Sequence, residues 1–469
     1  HKLSRTPSIM TSSKNTKQQS TAQDDAITSH PDVDTAAGEV SELEKRKAQD
    51  GVAKFSRLGW KRLTILLMVT AIALGTLSLP AAFATLGMVL GVILTIVSGL
   101  LAIFAGLLVG QTKLKHPEIH DYADVGRVLF GKVGYEIFHF MCILQLLFLA
   151  GSHCLTGTTA LKVITAKDVC SVYFGLASAA ALFVISLPPS FAEVAILGYV
   201  DFASIVITIG ITIIATGIQH DPSNPLTASD WSAWPKPGIT STDAFIAVLN
   251  LVFAYSFTIA QFSFMDEMHT PRDFNKSIWS LGVIQITMYV LTGALIYAFV
   301  GQEVQSPALL SAGTTVSRVA FGVAIPVIFI SGGILIVTAG RMIHGRIYAN
   351  SITRYVNTTK GWVTWMLTIT AIVVVGWFIA EVIPIFSDLV ALISSLLNSG
   401  FALYFPALMW FMLLREGKWN TPKNLLLGGA SLILLVIGLF LLTGGTYAVI
   451  RSIVEGYKSG GVKTPFTCS

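Results

Sequence analysis

The sequence predicts an all-α polytopic membrane protein, and three observations support this class. The 469 residues are 53% hydrophobic and 12% charged, whereas a soluble domain has about 25% charged residues. Residues 63–112 contain no charged side chain, and this stretch is long enough for two helices of about 20 residues each. Further apolar runs recur along the chain, separated by short charged or turn-rich breaks. Helices satisfy their own backbone hydrogen bonds in lipid, so we expect a helical bundle.

The first 60 residues have a different composition. They are rich in Ser, Thr, Gln and Asp and poor in large apolar side chains, so they cannot bury a core. We predict a disordered cytoplasmic tail, because the segment also lacks the apolar region of a secretory signal peptide. The net charge of +5 is shared among loops, which gives no indication of a domain that binds nucleic acid.

The apolar pattern divides the rest of the chain into eleven predicted transmembrane spans. Span 1 to span 11 are, in chain order, 63–84, 87–110, 134–161, 171–187, 193–218, 243–265, 277–300, 318–340, 361–381, 385–414 and 422–442. The predicted transmembrane domain covers 61–442, with spans 1–5 in 63–218, spans 6–10 in 243–414, and span 11 at 422–442. Residues 443–469 are predicted to form an extracellular tail. Most Lys and Arg residues between the spans fall on the side of the N-terminus. This bias predicts a cytoplasmic N-terminus, and an odd number of spans then places the C-terminus outside.

Span 1 carries helix breakers at mid-depth, in "TAIALGTLSLPAAFATLG", residues 70–87. Gly75, Thr76, Ser78 and Pro80 interrupt an otherwise apolar run. A discontinuous helix here exposes N–H groups that suit a carboxylate, and carbonyl groups that suit an ammonium group or a cation. The alternative is a proline kink whose backbone groups are repaired by Ser and Thr.

Span 6 has a polar centre, in "LVFAYSFTIAQFSFMDEM", residues 251–268. Tyr255, Ser256 and Thr258 cluster at mid-depth, although the segment contains neither Gly nor Pro. Spans 1 and 6 occupy corresponding positions in two halves of five spans. Two interrupted segments in such positions are the best indication of a binding site in a transporter.

Other intramembrane polar residues are weaker candidates. His153 in span 3 is either a substrate or proton group or a hydrogen-bonded core residue. Asp201 in span 5 is a candidate for ion coupling, or a partner of Tyr or Ser on another span. Ser331 and Thr338 in span 8 offer hydroxyl oxygens for a cation, and small residues around them permit close packing. Cys170 and Cys468 both fall on the predicted external side, where a disulfide between them is permitted.

The chain lacks the motifs of soluble enzymes. We find no Walker loop, HExxH, paired CxxC or GxSxG sequence, so we expect neither an enzyme nor a cofactor or metal site. The shortage of charge inside the spans argues against a channel with a charged pore. A secondary transporter is the leading hypothesis, and a receptor derived from a transporter is an alternative.

Four sequence blocks together resemble the amino acid/auxin permease family, most closely its fungal neutral amino-acid permeases of the methyltryptophan-resistance type. The blocks are "ALGTLSLPAAFATLG" in span 1, "HDYADVG" after span 2, "GSHCLTG" in span 3 and "FAYSFTIAQFSFMDEMHTPRDF" through span 6. A tail containing "GGTYAVIRSIVEGY" and "PFTC" is also similar. The resemblance covers residues 55–469.

The resemblance implies eleven helices with a LeuT-like five-plus-five inverted repeat, and proton-coupled uptake of neutral amino acids at the plasma membrane. Sodium coupling is the alternative. It further implies that the backbone from Gly75 through Leu77 to Ser78 receives the substrate carboxylate. Carbonyl groups around Ala73, Leu74, Tyr255 and Ser256 would then receive the amino group. The remaining implied pocket residues are His153, Tyr255, Phe257 and Thr258.

Overall fold

The computed structural model describes residues 58–167, 169–189, 191–219, 230–348, 356, 358–460 and 464–468. Residues 1–57, which hold nearly all of the predicted N-terminal tail, lie outside the described residues. Residues from Phe55 to Ser469 form one compact unit. The described part of this unit consists of helices and connections, with a single isolated bridge between Leu58 and Met268 in place of any strand.

Fourteen α-helices occur in the described residues, and we number them in chain order. They are α1 Trp60–Leu86, α2 Met88–Lys115, α3 Tyr122–Thr165, α4 Ser171–Ile185, α5 Phe191–Gln219, α6 Ser241–Ala254, α7 Thr258–Asp266, α8 Phe274–Val300, α9 Thr314–Ile347, α10 Thr359–Val382, α11 Phe386–Ile393, α12 Phe405–Met409, α13 Pro422–Phe440 and α14 Thr446–Lys458. Wider π-helical segments connect α11, α12 and the stretch up to residue 414, and another joins α13 to α14.

The helices confirm the predicted class. Eight continuous helical stretches in the described residues are long and apolar enough to cross a membrane, and ten if each of two bent pairs counts as one span. Helix α4 is apolar but has only 15 residues, slightly fewer than the roughly 17–25 that a span needs. The chain is therefore an all-helical polytopic membrane protein, and the number of eleven spans stays a prediction.

The helix that begins at Pro422 continues past residue 442, the predicted end of span 11. The chain remains helical through the π-helical segment Leu441–Gly445 and α14 to Lys458, so the first part of the predicted tail is helical, and the boundary of the span stays a prediction. The two glycines of this segment resemble a stop signal. In the structure Gly445 permits close packing instead, because a Cβ atom there would lie 3.1 Å from Leu249 of α6.

The arrangement of the helices places two interrupted spans side by side. Helix α1 packs against α6 and α8, and α9 packs against α3, α5 and α10. The middle of α9 is buried on all sides, whereas a helix at the surface would keep one face exposed. Helix α9 therefore lies in the interior of the bundle. The bundle therefore surrounds the middle of α1 and the α6–α7 junction, where the predicted site residues lie.

Candidate functional site

Helix α1 is bent and not unwound between Gly75 and Pro80, which corrects the expected position of the break. Its halves, Trp60–Ile72 and Gly75–Leu86, are inclined by 52°, and the helix continues through Pro80. Ala73 and Leu74 occupy the bend, and their side chains lie outside the described residues.

Two hydroxyl groups hydrogen-bond to carbonyl groups at this bend. Thr76 Oγ1 donates to the Ile72 carbonyl oxygen at 2.8 Å, and Ser78 Oγ donates to the Gly75 carbonyl oxygen at 2.9 Å. These side chains are fully buried. Such bonds to carbonyl groups three or four residues earlier often bend a helix. Pro80 removes the donor for the Thr76 carbonyl group, and neither of these two hydroxyl groups bonds to that carbonyl. Locally, the geometry is that of a helix bent beside back-bonded Ser and Thr residues, which continues through Pro80.

Span 6 is interrupted between α6 and α7, at Tyr255, Ser256 and Phe257. Its polar side chains are engaged by neighbouring spans: Tyr255 Oη donates to the Thr95 carbonyl oxygen at 2.9 Å. Thr258 Oγ1 donates to the Phe401 carbonyl oxygen, also at 2.9 Å. The polar side chains that predicted this interruption therefore hydrogen-bond span 6 to spans 2 and 10.

One group that holds the interruption open was missed by the sequence analysis. Tyr289 Oη of α8 donates at 2.7 Å to the carbonyl oxygen of Ala254, the last residue of α6. This carbonyl lacks a helical partner because the helix ends there. Tyr289 is one aromatic residue in an apolar span, and no local signal marks it as different from an ordinary core residue.

The two interruptions are in direct contact. A Cβ atom built on Gly75 would lie 2.5 Å from Cα and 2.9 Å from Cβ of Ala254, closer than side-chain carbon atoms approach each other. Glycine therefore permits α1 and α6 to touch at this point. Leu77, Ser256 and Phe257 are buried around the contact.

His153 lies against α9. Its Nδ1 atom is 2.8 Å from the Ile328 carbonyl oxygen, a contact that requires Nδ1 to carry the hydrogen. The side chain is buried, and a Cβ atom on Gly332 would lie 3.0 Å from His153 Cβ. These contacts agree with the interpretation of His153 as a hydrogen-bonded core residue.

Asp201 and Ser331 are brought together, 130 residues apart in the chain. Asp201 Oδ2 lies 2.6 Å from Ser331 Oγ, which also lies 3.2 Å from the Val69 carbonyl oxygen. Asp201 is 1% exposed, and its Oδ1 atom has no hydrogen-bond partner among the described residues. The group links spans 5 and 8 to the first half of α1.

Thr338, the other candidate for ion coupling, lies outside this group. Its hydroxyl group donates to the Ile334 carbonyl oxygen of its own helix at 2.7 Å. Seven residues of helix separate Thr338 from Ser331, which is roughly 10 Å along the axis.

An ion pair with a buried lysine and a partly exposed carboxylate lies at the end of the bundle that is predicted to be cytoplasmic. Lys113 Nζ lies 2.6 Å from Asp266 Oδ1 at the end of α7, and also donates to the Ile119 carbonyl oxygen at 2.6 Å. His120 Nδ1 lies 2.8 Å from the second oxygen of Asp266. The Lys113 side chain is only 7% exposed. In the sequence, Lys113 is one of the Lys and Arg residues between spans that predicted the cytoplasmic side, and no pattern marks it as buried.

The opposite end of the bundle carries the disulfide candidates. Cys170 and Cys468 form a disulfide, with their Cα atoms 4.6 Å apart. Phe466 packs nearby against Trp377 and Phe378, at ring-centroid distances of 5.5 and 5.6 Å. The described end of the chain is thus fixed against α10.

Comparison with known proteins adds the family. A family model described as transmembrane amino acid transporter protein matches residues 56–451. A Neurospora crassa protein named N amino acid transport system protein is 55% identical over 426 residues, which cover 90% of this chain and 91% of the relative. Two proteins named transmembrane transporter, from Fusarium pseudograminearum and Gibberella moniliformis, are each 27% identical; they cover 94% and 93% of this chain, and 92% of each relative. The family resemblance seen in the sequence is confirmed, and the chain belongs to the transmembrane amino acid transporter family.

Proposed function

We propose that this protein is a plasma-membrane proton symporter that imports neutral aliphatic and aromatic amino acids by alternating access. Its N-terminus would be cytoplasmic and its C-terminus extracellular, in a LeuT-like arrangement of spans 1–10. The family match and the name of the Neurospora crassa relative support amino acid transport. The substrate range, the coupling ion and the cycle are our own proposals.

The substrate site proposed here is the contact between the bend of α1 and the interruption of span 6. The backbone from Gly75 to Ser78 would receive the carboxylate, because the second half of α1 begins there and presents its positive end. Carbonyl groups near Ala73, Leu74, Tyr255 and Ser256 would receive the ammonium group. Thr258 would act structurally, since its hydroxyl group is bound to the Phe401 carbonyl oxygen.

The side-chain pocket would be formed mainly by apolar groups. Leu77 and Phe257 are buried and lie in or near the two interruptions along the chain. His153 of α3, which contacts α9, would form a further wall, as the family resemblance implies. A pocket with such walls favours aliphatic and aromatic side chains over charged ones, because burying an unpaired charge is costly.

The observation that carries proton coupling is the hydrogen-bonded chain Asp201–Ser331–Val69. A serine hydroxyl group has one hydrogen, so Ser331 donates either to Asp201 or to the Val69 carbonyl oxygen. With Asp201 ionised, the hydrogen goes to the carboxylate. With Asp201 protonated, the carboxyl group donates to Ser331, which then donates to Val69. Binding of a proton would thereby add a hydrogen bond to the first half of α1.

Sodium is the second candidate for the coupling ion, because the same three groups present oxygen atoms. The Asp201 carboxylate, the Ser331 hydroxyl group and the Val69 carbonyl group are ligands of the type that hard cations prefer. Three oxygen atoms, one from each group, are fewer than the roughly six or more that hard cations such as Ca²⁺ take, and the sodium gradient in the experiment below separates the two ions.

The decisive experiment is uptake of radiolabelled leucine and phenylalanine into proteoliposomes, under an imposed pH gradient or a sodium gradient. We expect accumulation with an acidic exterior and no sodium. Failure to accumulate or exchange either amino acid under both gradients would contradict the transporter proposal. Uptake driven by the sodium gradient alone would identify sodium as the coupling ion in place of the proton. Binding of amino acid without transport would favour a receptor.

The Asp201→Asn variant tests the coupling group, and Asp388→Asn is its matched control. Asp388 is also a buried carboxylate beside a serine, since both its oxygens lie 3.4 Å from Ser452 Oγ. We expect Asp201→Asn to lose accumulation driven by the pH gradient and to retain exchange, whereas Asp388→Asn retains both. Full proton-driven accumulation by Asp201→Asn would eliminate Asp201 as the coupling residue.

A further inference from the structure

A cavity lies away from the contact between the two interruptions, at the end of the bundle that carries the disulfide. It has a volume of about 740 Å³, within the range of roughly 300–1,000 Å³ that is typical of small-molecule sites. The last turns of α3, the first turns of α9 and the end of α10 form its walls. None of the proposed central-site residues lines it.

The cavity contains charges of both signs. Lys162 of α3 and Arg318 of α9 supply two cations, and Glu381 of α10 supplies one carboxylate. Neither cation takes part in an ion pair within the part of the chain that the structure describes. Thr314, the first residue of the 34-residue helix α9, also lines the cavity, and a helix N-terminus adds partial positive charge.

The carboxylate is held in a defined position. A Cβ atom on Gly175 of α4 would lie 2.8 Å from Glu381 Oε1 and 3.0 Å from the indole nitrogen of Trp377. Glycine therefore leaves room for this carboxylate and the indole ring beside it. Phe466, two residues before Cys468, packs edge-to-face against the ring of Trp377. The packing of α4, α10 and the chain end thus fixes the negative group of the cavity.

The geometry points to a second binding site, on the predicted extracellular side, for a neutral amino acid in its zwitterionic form. A simple anion would meet the two cations but would be repelled by Glu381, and a simple cation would be repelled by the cations. A zwitterion satisfies both signs. Apolar residues of the same cavity, Leu155, Val163, Leu310 and Ile385, would contact an uncharged side chain.

This site rests on the proposed function and adds a staging position from which substrate passes to the centre. Lys162 and Arg318 are exposed to solvent, which weakens each charge interaction. The outer site therefore binds amino acid more weakly than the buried central site. Its physical role is to raise the local concentration of substrate at the outer face.

The test uses the double variant Lys162→Gln/Arg318→Gln of the full chain, with Lys167→Gln/Lys458→Gln as the matched control. The control removes two exposed lysines from the same end of the bundle that do not line the cavity. Equilibrium dialysis of purified protein with radiolabelled leucine measures the number of equivalents bound. We expect a second, weaker equivalent in wild type and in the control, and its loss in the double variant.

Uptake kinetics and a conservative variant separate this effect from misfolding. The double variant should raise KM for leucine several-fold without changing kcat, and Lys162→Arg/Arg318→Lys should restore wild-type KM. If wild type and the double variant both bind one equivalent of leucine and have the same KM, the outer site does not exist. The proposal of a central site would be unaffected by that result. Binding of no leucine by any variant would contradict the proposed function as well.

Discussion

The contact between Gly75 and Ala254 makes Gly75→Ala the most informative single substitution in the chain. The new methyl group would lie 2.5 Å from Ala254 Cα, whereas carbon atoms in contact are about 3.5–4.0 Å apart. Helices α1 and α6 must therefore separate by roughly 1 Å at this point. Overpacking of this kind costs about 1–3 kcal/mol.

The expected effect on transport follows from that cost. If the transport cycle requires the close approach of α1 and α6, a penalty of about 1–3 kcal/mol reduces the population of the competent state roughly 5- to 150-fold. The assay is the initial rate of leucine uptake into proteoliposomes under a pH gradient. Thermal unfolding of the same preparation shows whether the variant is folded.

Gly210→Ala is the control for this substitution. It adds the same methyl group to the interior of α5, where no atom beyond the neighbouring residues and backbone of its own helix lies within 4 Å of the new Cβ. We expect wild-type uptake and a slight gain in stability, about 0.5–1 kcal/mol. Wild-type uptake by Gly75→Ala would show that the contact is not needed for transport, and our placement of the substrate site would then be wrong.

Three other substitutions or treatments test the remaining contacts. Lys113→Met removes the cation from Asp266, which is 39% exposed and so still reached by water; we expect a loss of about 1–3 kcal/mol of stability in thermal unfolding. Tyr289→Phe leaves the carbonyl group at the end of α6 without its donor and should cost a similar roughly 1–3 kcal/mol, together with slower uptake. Maleimide labelling of denatured, unreduced protein should modify two cysteines, and four after reduction, if the Cys170–Cys468 disulfide forms; four without reduction would contradict it.

The sequence predicted the elements of the site better than their contacts. Apolar runs without charge define spans, because lipid penalises unpaired polar groups wherever they occur. The interruption of span 6 at 255–257 coincides with a cluster of polar residues that are close together in the sequence. It could therefore be predicted from that local pattern. The bend of α1 begins at 73–74 and not at Pro80, since hydroxyl groups of Thr76 and Ser78 bind the carbonyl groups near the bend.

Contacts between distant spans follow from packing and could not be predicted. Asp201 and Ser331 were separate candidates in the sequence, and only the crossing of α5 and α9 places them 2.6 Å apart. Thr338 had the same residue chemistry as Ser331 but lies two turns further along α9. Lys113 resembled an ordinary flanking charge, because only the folded loop after it brings the Pro117 and Ile119 carbonyl groups onto its ammonium group.

The positions of these contacts along α1 connect the two parts of the proposed mechanism. Val69, which Ser331 reaches, lies in the first half of the helix, and Gly75, which touches Ala254, begins the second half. In the proposed transport cycle, the two halves would change their relative angle at the bend between them. A hydrogen bond gained at Val69 on protonation of Asp201 would stabilise one position of the first half. An amino acid bound at Gly75 and the span 6 interruption would stabilise one position of the second half. Proton and substrate are then coupled if the stabilised positions of the two halves occur together at one bend angle of α1. A variant that loses the hydrogen bond to Val69 should therefore weaken coupling and leave substrate binding intact.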